Sequence, residues 1–216
     1  MNYLFILFLL ITQVLYAQTM PSLEQDLITA AGKGNVALVQ ALLEQTINLN
    51  ATDSQGRTAL TAAVAGNHLE VSKLLINAGA DPNLQDKQFN NALLLTGETG
   101  NVAILKEVLR AKPDLSLTNR FGGTALIPAA DRGHVDYVRE LLKTEINVNH
   151  INKLGWTALL EAVILGDGGA SHTEIVRLLL DAGADAQIAD KDGVTALEHA
   201  QTRGYTEIIR LLEENP

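Results

Sequence analysis

Short apolar blocks at helical spacing alternate along this chain with polar turns. Val138, Leu141 and Leu142, and again Ile175, Val176, Leu179 and Leu180, recur three or four residues apart, which puts each set on one face of a helix. The segment Glu70–Ile76 has the same amphipathic character. A second kind of block is made of small residues, as in Ala62-Ala63, Ala129-Ala130 and Ala162. Stops of the form Gly79-Ala80-Asp81 and Gly183-Ala184-Asp185 follow the amphipathic blocks, with a glycine free to take the left-handed conformation that ends a helix. The pattern predicts pairs of short helices joined by tight turns.

The pairs recur at a fixed period. Thr-Ala-Leu stands at Thr58, Thr124, Thr157 and Thr195, and Asn91-Ala92-Leu93 is a degenerate copy, so the spacings are 33, 33, 33 and 38 residues. Each block follows an Asp or Asn and a turn, as in Asp53-Ser54-Gln55-Gly56 and Asn152-Lys153-Leu154-Gly155. Thr or Asn before Ala-Leu is a good N-cap, accepting a bond from an otherwise unpaired helix amide. Self-similarity at this period means stacked supersecondary units and not one globular core. Small residues let the inner helices of adjacent units approach closely, while the amphipathic outer helices bury one face against the next unit. With helices about 8–10 Å apart, six units form a curved slab roughly 50–60 Å long.

The Thr-Ala-Leu-x-x-Ala block, the Gly/Asn turn between helices and the Gly-Ala-Asp stop resemble the ankyrin repeat. The resemblance covers residues 23–216 and implies an all-α solenoid of about six helix-turn-helix units with short β-hairpin loops. The expected units run 25–53, 54–86, 87–119, 120–152, 153–190 and 191–216. Several stretches further resemble a subgroup of small stand-alone bacterial ankyrin proteins, the YahD type: Arg120-Phe121-Gly122-Gly123, Gly155-Trp156-Thr157, Asp167-Gly168-Gly169 and Ala111-Lys112-Pro113. That subgroup implies a stand-alone bacterial protein and no particular biochemical role.

Residues Tyr3 to Ala17 form an apolar run broken only by Thr12 and Gln13. It is short for a membrane span, and its position predicts a secretory leader over residues 1–17, cleaved after Ala17 and followed by a linker over 18–24. An uncleaved N-terminal anchor is the alternative. The leader reading places the mature protein in a Gram-negative periplasm or outside the cell. Cysteine is absent, which excludes disulfides, thiolate zinc sites and cysteine nucleophiles. The formal net charge is −9, with no Asp, Glu, Lys or Arg before Gln18. An acidic solenoid argues against nucleic-acid binding, which rewards clustered Lys and Arg, and favours a protein partner with a basic patch.

Motifs for chemistry are scarce. His68, His134 and His172 share one register position, the turn between the helices of a unit, where an imidazole bonds to backbone. No His-Glu-x-x-His, phosphate loop, Gly-x-Ser-x-Gly or calcium loop occurs. No catalytic residue, metal site or cofactor is expected. In ankyrin stacks the hairpin tips project towards the concave side, where partners dock. Here the outer tips are polar, whereas the middle ones carry Phe89 in place of a glycine, then Arg120, Phe121, Leu154 and Trp156, the single tryptophan. Leu94, Ile127 and Leu160 adjoin them in the inner helices, either adding to that surface or packing beneath it. Exposed apolar groups with a basic rim suit a binding hot spot. The expected function is therefore a monomeric, exported, non-catalytic module that binds another protein through Phe89, Arg120, Phe121, Leu154, Trp156 and Glu161, protecting or inhibiting it. The alternative is a small-molecule site or enzyme around Glu161 and the five-residue insertion at Asp167-Gly168-Gly169, with Arg120. Pro128, inside the first turn of the fourth inner helix, removes a backbone donor and is placed to distort that helix start.

Overall fold

The computed structural model describes residues 22–215, so the expected leader over 1–17 lies outside the described residues. Among the described residues twelve helices form six antiparallel pairs. The inner helices are α1 (Leu23–Gly32), α3 (Ala59–Ala65), α5 (Ala92–Thr99), α7 (Leu126–Asp131), α9 (Ala158–Ile164) and α11 (Ala196–Arg203). The outer helices are α2 (Val36–Leu43), α4 (Leu69–Asn77), α6 (Val102–Arg110), α8 (Val135–Leu141), α10 (Ala170–Asp181) and α12 (Thr206–Glu214). Each inner helix packs on the inner helices before and after it, and the outer helices do the same in a second layer.

The caps follow the sequence in four of the five Thr-Ala-Leu-type blocks. The side-chain oxygens of Thr58, Asn91, Thr157 and Thr195 accept from the amides of Thr61, Leu94, Leu160 and Glu198. Thr124 is the exception, and Pro128 is the reason. In the other blocks the capping residue's carbonyl accepts from the amide four residues on, as Thr58 does from Ala62 and Thr157 from Glu161. Pro128 has no such amide. The Thr124 carbonyl is instead taken by the Ile127 amide at 3.2 Å, and the Thr124 hydroxyl is left buried without a partner. Helix α7 starts one residue late and runs for six residues. Its displaced start lies against Gly97, where a Cβ would come within 2.4 Å of the Ala125 carbonyl oxygen.

Alanines 63, 129, 130 and 162 are fully buried between inner helices, and Val71, Leu75, Val138, Leu141, Ile175, Val176 and Leu179 bury the apolar face of the outer layer. Tyr137 is sealed between layers, its hydroxyl 2.9 Å from that of Thr96. Leu94, Ile127 and Leu160 are all buried.

Two ladders of polar bonds join consecutive units. The turn histidines do bond to backbone, each reaching across to the preceding unit. His68 Nε2 meets the Gly32 carbonyl at 3.1 Å, His134 that of Glu98 at 3.2 Å, and His172 that of Asp131 at 2.9 Å. In the sixth unit the Tyr205 hydroxyl donates to the Gly166 carbonyl in the same manner. At the opposite end, one side-chain oxygen each of Asp53, Asp86, Asn119, Asn152 and Asp190 accepts from the amides two and four residues on. These tips turn like hairpins but contain no strand among the described residues. Successive tips are tied by single amide bonds, from Lys87 to Gln55, Arg120 to Gln88 and Lys153 to Phe121.

Candidate functional site

The tip geometry needs a left-handed residue at its third turn position, and glycine supplies it at Gly56, Gly122, Gly155 and Gly193. Phe89 occupies the same position with φ +61° and leaves its ring 56% exposed. A left-handed backbone costs a non-glycine residue about 1–2 kcal/mol, so this aromatic is displayed at some expense to the fold. Phe121 and Leu154 sit one position before their turn glycines and are 52% and 48% exposed. Arg120 stacks its guanidinium 4.6 Å from the centre of the Phe121 ring and donates to the Gln88 side chain.

Phe121 stands between two depressions. One, about 300 Å³, is polar and is lined by Gln88, Asn90, Glu98, Asn119, Arg120 and Phe121. The other is a half-open cavity of about 250 Å³ with Phe121, Leu154, Ile127, Pro128 and Leu165 on its apolar walls. Glu98, Asp131, Arg132, Asn152 and Glu161 supply its polar groups. Glu161 is only 5% exposed, and its Oε1 accepts from Asn152 Nδ2 at 2.8 Å. Burial, reinforced by the nearby Asp131 carboxylate, pushes Glu161 up to about 7.

The structure thus brings Phe121, Leu154 and Glu161 together in one cavity, with Arg120 next door across the Phe121 ring. Trp156 lines neither depression. It is half-buried and packs against the hydrophobic core, because its position directly before the Thr157 cap turns it towards the stack. Asp167 is not in the cavity either. It bonds His172 Nδ1 at 2.8 Å and the Gly169 amide at 2.9 Å, closing the insertion on itself. The Tyr205 ring fills the space a side chain at Gly168 would need. The insertion is therefore a braced turn that contributes only Leu165 to the cavity, and it does not form a compact site with Glu161 and Arg120. No group of three or more His, Asp or Glu residues among the described residues is placed to hold a metal.

Two further carboxylates of the cavity, Asp131 and Glu98, belong to no motif in the sequence. Both stand seven residues after the capping residue of their unit, 33 residues apart, and that shared register was the signal that could have found them.

The sequence pattern described as "Ankyrin repeats (3 copies)" matches residues 8–86 and 93–190. The chain belongs to the ankyrin repeat family. The crystal structure of an ankyrin repeat domain from Acinetobacter baumannii AYE is 48% identical, covering 88% of this chain and 97% of that one, with a TM-score of 0.85. The ankyrin repeat domain of Bcl-3, a member of the IkappaB protein family, is 27% identical over 88% of this chain and 85% of its own, with a TM-score of 0.78. The ankyrin repeat protein YahD of Escherichia coli (strain K12) is 50% identical over 52 residues. That match covers 24% of this chain and 26% of YahD, so the chain spans about a quarter of that curated relative. Ankyrin repeats are in general protein–protein interaction modules, typically without catalysis of their own. Among the described residues no helix is long and apolar enough to cross a membrane.

Proposed function

We propose that this ankyrin protein is an exported, non-catalytic docking module whose partner seats on the concave tips and inner helices of the third to fifth units. The observation that carries this reading is the row of exposed Phe89, Phe121 and Leu154 on successive tips, the last two lining a half-open cavity. Large apolar groups held out on one face mark an interaction surface, and anchors beside a pocket are where binding energy concentrates. Arg120 borders the patch, and Trp156 packs against the core. The net charge of −9 favours a partner with a basic surface. Docking that shields or inhibits a periplasmic protein is the role this arrangement suits.

A small-molecule site finds less support. The cavity is below the roughly 300–1,000 Å³ of ordinary ligand pockets, it is open on one side, and the insertion adds no polar group to it. Affinity capture from the native compartment tests the reading, comparing the mature protein with a Phe121→Ala/Trp156→Ala variant. Loss of the captured partner is expected. Equal recovery would show that the partner sits elsewhere. Export is tested separately by N-terminal sequencing, with Gln18 the expected first residue. Recovery of Met1 in a membrane fraction would overturn it.

A further inference from the structure

We propose that the cavity beside Phe121 receives a single Lys or Arg side chain of the docked partner, its alkyl stem against Phe121, Leu154 and Ile127 and its cation on the carboxylates of Glu161 and Asp131. This rests on the docking reading above and names its anchor. The cavity has two chemically different parts, hydrocarbon walls and a carboxylate floor. A basic side chain has the same division, with a stem that covers apolar surface and a charged head. The volume of about 250 Å³ suits one side chain and is too small for a helix or a folded loop.

Glu161 supplies the decisive detail. Its side chain is 5% exposed, and its one hydrogen-bond partner among the described residues is Asn152, at Oε1. The second oxygen takes no donor from the stack. A covered carboxylate without a counter-charge is costly, and the four other helices that follow a Thr-Ala-Leu-type block avoid it at this register position with Ala62, Leu95 and Pro128, or with His199 paired to Asp190. The charged groups facing it are Asp131 at the end of α7, Glu98 on α5 and Arg132 just after α7. Three carboxylates thus face one guanidinium. An apolar or anionic anchor would leave Glu161 worse off, whereas a cation supplies the missing charge and donors. Burial and Asp131 hold Glu161 at about 7, so the carboxylate is about one-tenth ionised at pH 6 and about nine-tenths at pH 8.

A displayed random heptapeptide library, panned at pH 8 on the full chain, tests the proposal. Enriched peptides are expected to share one Lys or Arg and to lose binding to a Phe121→Ala/Leu154→Ala variant. The best peptide is then synthesised with its basic residue and with norleucine in that place, and both are titrated at pH 6 and pH 8. The basic peptide should bind about tenfold more tightly at pH 8. Glu161→Gln, which keeps the Asn152 bond, should abolish that pH response and weaken binding tenfold or more. The norleucine peptide should show neither effect. Peptides that need Phe121 and Leu154 but show no basic preference and no response to Glu161→Gln would overturn this inference and leave the docking reading standing. Enrichment only of peptides indifferent to Phe121→Ala/Leu154→Ala would overturn the docking reading itself, and this inference with it.

Discussion

Replacing Glu161 by Gln keeps an acceptor for Asn152 Nδ2 and removes one ionisable group from the cavity floor. The effect on stability can be worked from the structure. Glu161 stands at about 7 in the fold against an ordinary 4.5. Between these values the folded chain holds a proton that the unfolded chain has released, so stability falls as pH rises through the window. At about 1.4 kcal/mol for each factor of ten, the ceiling is about 3 kcal/mol, and solvent entering the open side of the cavity brings the expected figure to about 2 kcal/mol. The wild type carries that penalty in full above pH 7 and not at all below pH 4.5. Glu161→Gln should therefore match the wild type at pH 4.5 and exceed it at pH 8, by roughly 4–8 °C for a chain of this size. Melting curves followed by circular dichroism at half-unit pH steps read this directly. A difference between the two proteins that stays constant from pH 4.5 to 8, or a variant less stable at pH 8, would refute the reasoning.

Three further substitutions probe the scaffold. Asn91 caps α5 through its oxygen but leaves Nδ2 buried without a partner, so Asn91→Thr should raise stability by about 1 kcal/mol in urea titration. Gly97→Ala would place a methyl 2.4 Å from the Ala125 carbonyl; a net loss of about 1 kcal/mol or more is expected despite alanine's better helix propensity, and a gain would mean that α7 is free to shift. Phe89→Gly relieves a left-handed backbone and gives up a largely exposed ring. Stability should hold or rise by up to about 1 kcal/mol while partner affinity falls, whereas a loss typical of core aromatics, about 3–5 kcal/mol, would place that ring in the fold and not on the binding face.

The scaffold was readable in the sequence because its determinants are local and repeated. A Thr or Asn before Ala-Leu carries its capping bond within three residues, and an Asp or Asn at each tip binds its own loop. Both can be seen without knowing what packs where. Pro128 shows where local reading stops. Its missing amide was plain, but the rearrangement at Thr124 depends on how one carbonyl is shared, and the accommodation at Gly97 lies in the neighbouring unit. The candidate site was half legible for the same reason. Phe121, Leu154 and Glu161 stand out as unusual residues in their own units. Asp131 and Glu98 look like ordinary exposed charges until three inner helices are placed side by side. Trp156 was conspicuous as the single indole, yet its facing is decided by the cap that follows it.

Among the described residues every strong helix contact joins elements of the same or adjacent units, and no side-chain hydrogen bond spans more than 41 residues. A chain assembled this way can be lengthened or shortened by whole units without redrawing the remainder, because each new seam repeats the old ones. Scaffold and recognition are therefore separable to an unusual degree. Excising residues 87–119 would bring two compatible faces together and let the stack close again, but it would delete Phe89 and Glu98 and set a different tip beside Phe121. The protein would survive such an edit as a folded object with one exposed aromatic fewer and an altered edge to the cavity beside Phe121.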